Sequence, residues 1–109
     1  MPRAMTRKKR RELFLAEAKQ LLIDLGAQQV GDGYILHTKA GRLTLHPDDH
    51  DYAGEVGTLF SRFDNPQAAR RFVDCNPHSG KWNHHYFNGW TVETAIADLA
   101  SQLRRILTR

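Results

Sequence analysis

Gln28-Gln29-Val30-Gly31-Asp32-Gly33-Tyr34-Ile35-Leu36-His37-Thr38-Lys39-Ala40-Gly41-Arg42-Leu43-Thr44-Leu45-His46 is the stretch that decides the fold. Short runs containing Val, Ile, Tyr and Thr are cut at Gly31-Asp32-Gly33 and at Lys39-Ala40-Gly41. Glycine supplies the positive φ that tight hairpin turns need, so the pattern predicts a meander of three short antiparallel strands: Gln28 to Val30, Tyr34 to Thr38 and Arg42 to His46. In the third, Leu43 and Leu45 fall on one face and Arg42, Thr44 and His46 on the other, so one face is core and one meets water. Pro47 is expected to end that strand.

Downstream, Asp48-Asp49-His50-Asp51-Tyr52-Ala53-Gly54-Glu55 has no apolar period and reads as an acidic loop. Thr58 to Phe63 is the next strand, with Leu59, Ser61 and Phe63 as its core face and Thr58, Phe60 and Arg62 opposite. Asn65-Pro66 is an N-cap followed by a proline at the first helical position, and Ala69, Phe72 and Val73 make the apolar stripe of a short middle helix. Lys81 to Phe87 alternates Trp82, His84 and Tyr86 against Asn83, His85 and Phe87, a further strand turned by Asn88-Gly89. Thr91 caps a final helix in which Ile96, Leu99, Leu103 and Ile106 recur at steps of three and four, while Arg104 and Arg105 suit its negative end.

Upstream, Phe14, Ala18, Leu21, Leu22 and Leu25 recur at helical spacing from Thr6 to Leu25, and Gly26 is a natural stop. Arg7 to Arg11 oppose the positive end of this helix's dipole, so its first turns are expected to fray without an acidic partner. The whole reads as one α+β domain, residues 12 to 109, preceded by a basic arm over residues 1 to 11. Its architecture is a small antiparallel sheet of about four to five strands with an N-terminal, a short middle and a C-terminal helix on one face.

With 109 residues, 40% hydrophobic and 26% charged, the chain has material for one core and not for two. Its apolar runs fall far short of the roughly 20 residues that span a bilayer, and Glu12, Glu17, Lys19 and Gln20 interrupt the stretch after Arg11, so neither a membrane partner nor a secretory signal reads out. A cytoplasmic location is expected. The single cysteine, Cys75, forms no internal disulfide, so apolar burial must hold the fold.

Six of the 16 Lys and Arg lie in the first 11 residues, leaving ten against all 12 acidic residues, so the body carries −2 and the net +4 belongs to the tail. Acids gather at Asp48, Asp49, Asp51 and Glu55, whereas Arg104, Arg105 and Arg109 make the C-terminal end basic, which describes a charge dipole. Arg7, Lys8, Lys9, Arg10 and Arg11 form an arm that attracts DNA or RNA phosphates through counterion release, largely independently of sequence. The plainer reading of the same arm is a solvated terminus.

The segment Asp74 to His85 is dense in polar side chains. Cys75, His78 and His84 or His85, with His46 or His50, have the chemistry of zinc ligands, but Cys-x2-His is no zinc signature alone and adjacent histidines in a strand face opposite ways. Cys75 with His78 as base, and Asn76 or Asn83 as helpers, is a weaker nucleophilic reading, since a lone cysteine is more often a small buried hydrophobe. His78-Ser79-Gly80-Lys81 lacks the second glycine of a phosphate-binding loop. No metal, no cofactor and no catalytic residue is therefore assigned. Trp82, Tyr86, Phe87 and Trp90, interleaved with Lys81, His84 and His85, either stack on a partner or pack in the core, and a small domain needs its aromatics buried. With one face of that strand in the core, His84 and Tyr86, or else Lys81, Asn83 and His85, face outward. Six histidines also allow binding to change near about pH 6.

The run Gly57-Thr58-Leu59-Phe60-Ser61-Arg62-Phe63-Asp64-Asn65-Pro66, the step Ala68-Ala69, and Asn76-Pro77-His78-Ser79-Gly80-Lys81-Trp82-Asn83 together resemble a pattern in small phage and plasmid proteins, over residues 57 to 107. The resemblance implies a mobile-element origin. Small proteins of that origin often inhibit host defence complexes such as CRISPR effectors, by occupying a nucleic-acid site or locking a subunit.

The reading that results is a non-enzymatic binding module docking on a protein complex that handles nucleic acid. Its expected contacts are the acidic loop Asp48, Asp49, Asp51 and Glu55, and the sheet and turn residues His78, Lys81, Asn83, His84, His85 and Tyr86. Direct nucleic-acid binding by Arg7 to Arg11 is the alternative, and a small Cys/His enzyme or metal-binding protein a second. Terminal helices with apolar stripes also allow a homodimer across a two-fold axis.

Overall fold

The structure is a computed structural model and describes residues 6–39, 41–48, 55–64, 83–88 and 91–108. Helix α1 (Arg7–Asp24) leads into β1 (Gln28–Val30), β2 (Gly33–Thr38), β3 (Gly41–Asp48), β4 (Glu55–Phe63) and β5 (Asn83–Asn88), and α2 (Val92–Leu107) closes the order. All neighbouring strands are antiparallel in one five-stranded sheet, β1-β2-β3-β4-β5. The middle helix expected around Asn65 to Val73 lies outside the described residues.

Helix α1 ends in a complete glycine cap. Gly26 sits at φ 91, its N–H donates to the Ile23 carbonyl at 3.0 Å, and the Ala27 N–H donates to Leu22 at 2.9 Å. These two bonds satisfy carbonyls that a helix end otherwise leaves unpaired. Gly31, at φ 60, makes the β1–β2 turn as expected, while Gly33 belongs to β2 rather than to the turn. At the β2–β3 turn the Thr38 hydroxyl donates to the Gly41 carbonyl at 2.7 Å.

Both helices cover one face of the sheet. Phe14, Ala18 and Leu22 of α1 and Leu99, Leu103 and Ile106 of α2 are buried against Tyr34, Leu36, Leu43, Leu45, Leu59 and Phe63, which alternate along β2, β3 and β4. The face predicted for β4 from Leu59, Ser61 and Phe63 is the covered one. In β5 it is Phe87 that enters the core, its ring 5.2 Å from that of Phe14.

Pro47 does not end its strand, contrary to the sequence expectation: β3 continues through it to Asp48, with Pro47 opposite Leu59 and Asp48 opposite Thr58. The reason lies in which neighbour each backbone group addresses. The Arg42 carbonyl accepts from the Asp64 N–H on the β4 side, so alternation turns the backbone of Leu43, Leu45 and Pro47 toward β2. By the register, β2 begins at Gly33, level with His46. No ladder bond to a described strand is missing at Pro47, because among the described residues no strand lies beside it there.

The acidic segment is shorter than expected for the same kind of reason. Asp48 is the last residue of β3 and Glu55 the first of β4, and Asp49 and Asp51 lie outside the described residues. The fifth strand begins at Asn83, and Lys81 and Trp82 also fall outside.

Helix α1 is capped at its basic start. The Thr6 hydroxyl accepts from the Lys9 N–H at 3.2 Å, the Arg10 N–H donates to the Thr6 carbonyl at 3.0 Å, and the helix is formed from Arg7 onward. Thr91 caps α2 reciprocally with Thr94: the Thr91 hydroxyl accepts from the Thr94 N–H at 3.1 Å, and the Thr91 N–H donates to the Thr94 hydroxyl at 3.0 Å. Threonine here takes the part that Glu or Gln usually plays in a capping box. No described helix is long and apolar enough to cross a membrane.

Candidate nucleic-acid interface

The face of the sheet turned away from both helices carries a different chemistry. Register sets Ile35, Thr44 and Arg62 in one cross-strand rank, and His46 directly opposite Phe60 in the next. Arg42 is the diagonal neighbour of Arg62, one pleat away, a separation within reach of long side chains. Arg42, Arg62 and His37 are exposed, while Thr44, His46 and Phe60 are half-buried.

His46 is the unusual member. Its Nδ1 is buried and has no hydrogen-bond partner among the described residues. Thr58, earlier on β4 and on the same face, is fully buried, so the patch is confined to β2, β3 and the later half of β4. Of the expected sheet contacts, Asn83, His84, His85 and Tyr86 stand in register opposite Ser61, Phe60, Leu59 and Thr58. His84 thus extends the rank of His46 and Phe60. His78 and Lys81 lie outside the described residues, as do Cys75 and His50.

The five cations of the basic arm are helical, and helical geometry divides them. Arg7 and Arg11 continue backwards the stripe of Phe14, Ala18 and Leu22, and each is engaged by an interaction within the chain. Arg10 and Arg11 are half-buried, and Arg10 Nε is buried without a partner. Lys8 and Lys9 face outward. Lys9 Nζ stands 3.9 Å from Glu12 Oε2 with both side chains largely exposed, an ion pair of little energetic consequence.

The placement of this basic end revises the charge map. Phe14 lies against Gly57 and Phe87, level with the start of β4, and α1 hands over through Ala27 to Gln28, which lines up through Ile35 and Thr44 with Arg62. Helix α1 therefore runs alongside β4. Its first turns emerge at the end of the sheet where β3 delivers Asp48 and β4 collects Glu55, so basic arm and acidic segment share one end. Helix α2 sets out from that end, shortly after β5, and carries Arg104 and Arg105 away from it.

Among the described residues no three His, Cys, Asp or Glu side chains gather as a metal site. Compared with family models, with curated proteins and with solved structures, the chain matches none. Sequence reasoning finds Arg42, His46, Phe60 and Arg62 as outward alternations of two separate strands, with His46 also a ligand candidate. The missing signal is register, since residues 14 to 20 positions apart become neighbours only when β3 and β4 are aligned.

Proposed function

We propose that this domain is a non-catalytic binding module whose open sheet face takes a single nucleic-acid strand, within an assembly that handles nucleic acid. The observation that carries the reading is the patch of Arg42, Arg62, His46 and Phe60 on the face that neither described helix covers. Arginine supplies phosphate contacts, and an aromatic ring on a sheet is a platform on which any base can stack. Lys8 and Lys9 belong to the other layer of the domain, so their phosphate attraction is a separate, additive contribution.

The test is fluorescence anisotropy of labelled single-stranded RNA and DNA of mixed sequence, with the wild type and with Phe60→Ala and Arg42→Ala. Binding that is weakened by both substitutions supports the reading. Binding that ignores them, or none at low salt, removes it.

A second reading is docking on a protein, with the acidic segment standing in for phosphate charge. The β3–β4 pairing favours it, because it brings Asp48 and Glu55 to one hairpin end with Asp49 and Asp51 between them in the chain. The resemblance to phage and plasmid proteins suits a host complex as that partner.

A further inference from the structure

We infer that the groove between α1 and α2 is a self-association surface, occupied in solution by a second copy of this chain related by a two-fold axis. The groove has a volume of about 540 Å³ and is lined by Leu13 and Leu21 from α1 and by Glu93, Ala97, Ala100 and Arg104 from α2, among others. Leu13 is 37% exposed, a large apolar side chain at the mouth of the groove. Nothing among the described residues fills the groove.

The choice of a second copy rests on charge complementarity. Glu93, Ala97, Ala100 and Arg104 succeed one another at steps of four, three and four, a single stripe along the helix. The stripe is symmetric in position and opposite in charge about the point midway between Ala97 and Ala100. Laid antiparallel on itself across a two-fold at that point, it sets Glu93 of each copy against Arg104 of the other, and the exposed Ala97 over Ala100, which is buried at the floor of the groove.

An isologous interface requires this self-complementarity, in which one residue meets a second and the second meets the first. The two charges are 11 positions, or about 16 Å, apart along the helix, so both pairs form at the ends of the crossing while the alanines allow close approach between them. Neither Glu93 nor Arg104 has an ion-pair partner among the described residues. The helix dipole explains an acid at the start and a base at the end of α2, but not the small side chains between them or Leu13 and Leu21 of α1, which flank Glu17 along the groove.

Sedimentation equilibrium of the full chain tests the proposal, with Glu93→Arg, Arg104→Glu and the double exchange. Both side chains are exposed, and circular dichroism checks that each variant is folded. The wild type is expected to dimerise, each single reversal to raise the dissociation constant by about tenfold or more, and the double exchange to restore it. A wild type that stays monomeric at high micromolar concentration overturns the proposal. So does a dimer indifferent to the single reversals, or one that the double exchange fails to recover.

Discussion

The ring of Phe14 fills the space that a side chain at Gly57 would need, so α1 and β4 meet with no gap at that point. A Cβ built on Gly57 overlaps three atoms of the ring, and Phe14 itself is fully buried and tilted against Phe87. Gly57→Ala should therefore cost about 1–3 kcal/mol through overpacking, and Phe14→Ala about 3–5 kcal/mol through the cavity it leaves. The double variant should be less unstable than the two costs added, because the smaller side chain vacates the space the new methyl needs. Urea denaturation of the four proteins measures this, and strict additivity would show that the two residues do not compete.

The reciprocal bonds between Thr91 and Thr94 start α2, and the hydroxyl at 91 is the group that matters. Thr91→Ser should be nearly neutral, whereas Thr91→Ala should cost about 1 kcal/mol. In a domain of this size that corresponds to about 4–8 °C in Tm, readable by thermal denaturation. Equal melting of the two variants would mean that the cap contributes nothing.

If the open sheet face binds a nucleic-acid strand, stacking and charge should separate experimentally. Phe60→Ala should weaken binding by about 1–3 kcal/mol without changing the salt slope. Lys8→Gln with Lys9→Gln should instead flatten the plot of log affinity against log salt by about 1.4, the value for two lost phosphate contacts on a single strand. A slope that falls with Phe60→Ala, or a pair of lysine substitutions without effect on it, would assign the contacts differently.

Neutralising the acidic hairpin end tests the protein-docking reading on its own. Asp48→Asn, Asp49→Asn and Asp51→Asn combined should weaken association with a protein partner captured from host extract, and leave anisotropy with a nucleic-acid strand equal or slightly stronger. Unchanged partner affinity, measured by calorimetry, would remove the acidic segment from consideration.

Legibility in the sequence was local. The Gly26 cap, the Gly31 turn, the Thr91 cap and the apolar stripes of both helices depend on residues within a few positions of one another, and each is found where its spacing puts it. Pro47 goes against expectation because its tolerance depends on where β2 stops, a fact about a neighbouring strand. The same holds for the patch of Arg42, Arg62, His46 and Phe60, which exists only through the β3–β4 register. That the basic turns of α1 emerge at the same end of the sheet as Asp48 and Glu55 depends on the direction in which a helix crosses a sheet, and nothing in the spacing of Arg7 to Arg11 encodes that direction.

Pro47 also guards an edge. Past His46, β3 and β4 run on as a ribbon with no described strand on its β2 side, and an unpaired strand edge is where a stray strand from another molecule would attach and begin a polymer. A proline there offers no donor to an incoming chain, so the ribbon can carry its load outward without becoming a seed for aggregation.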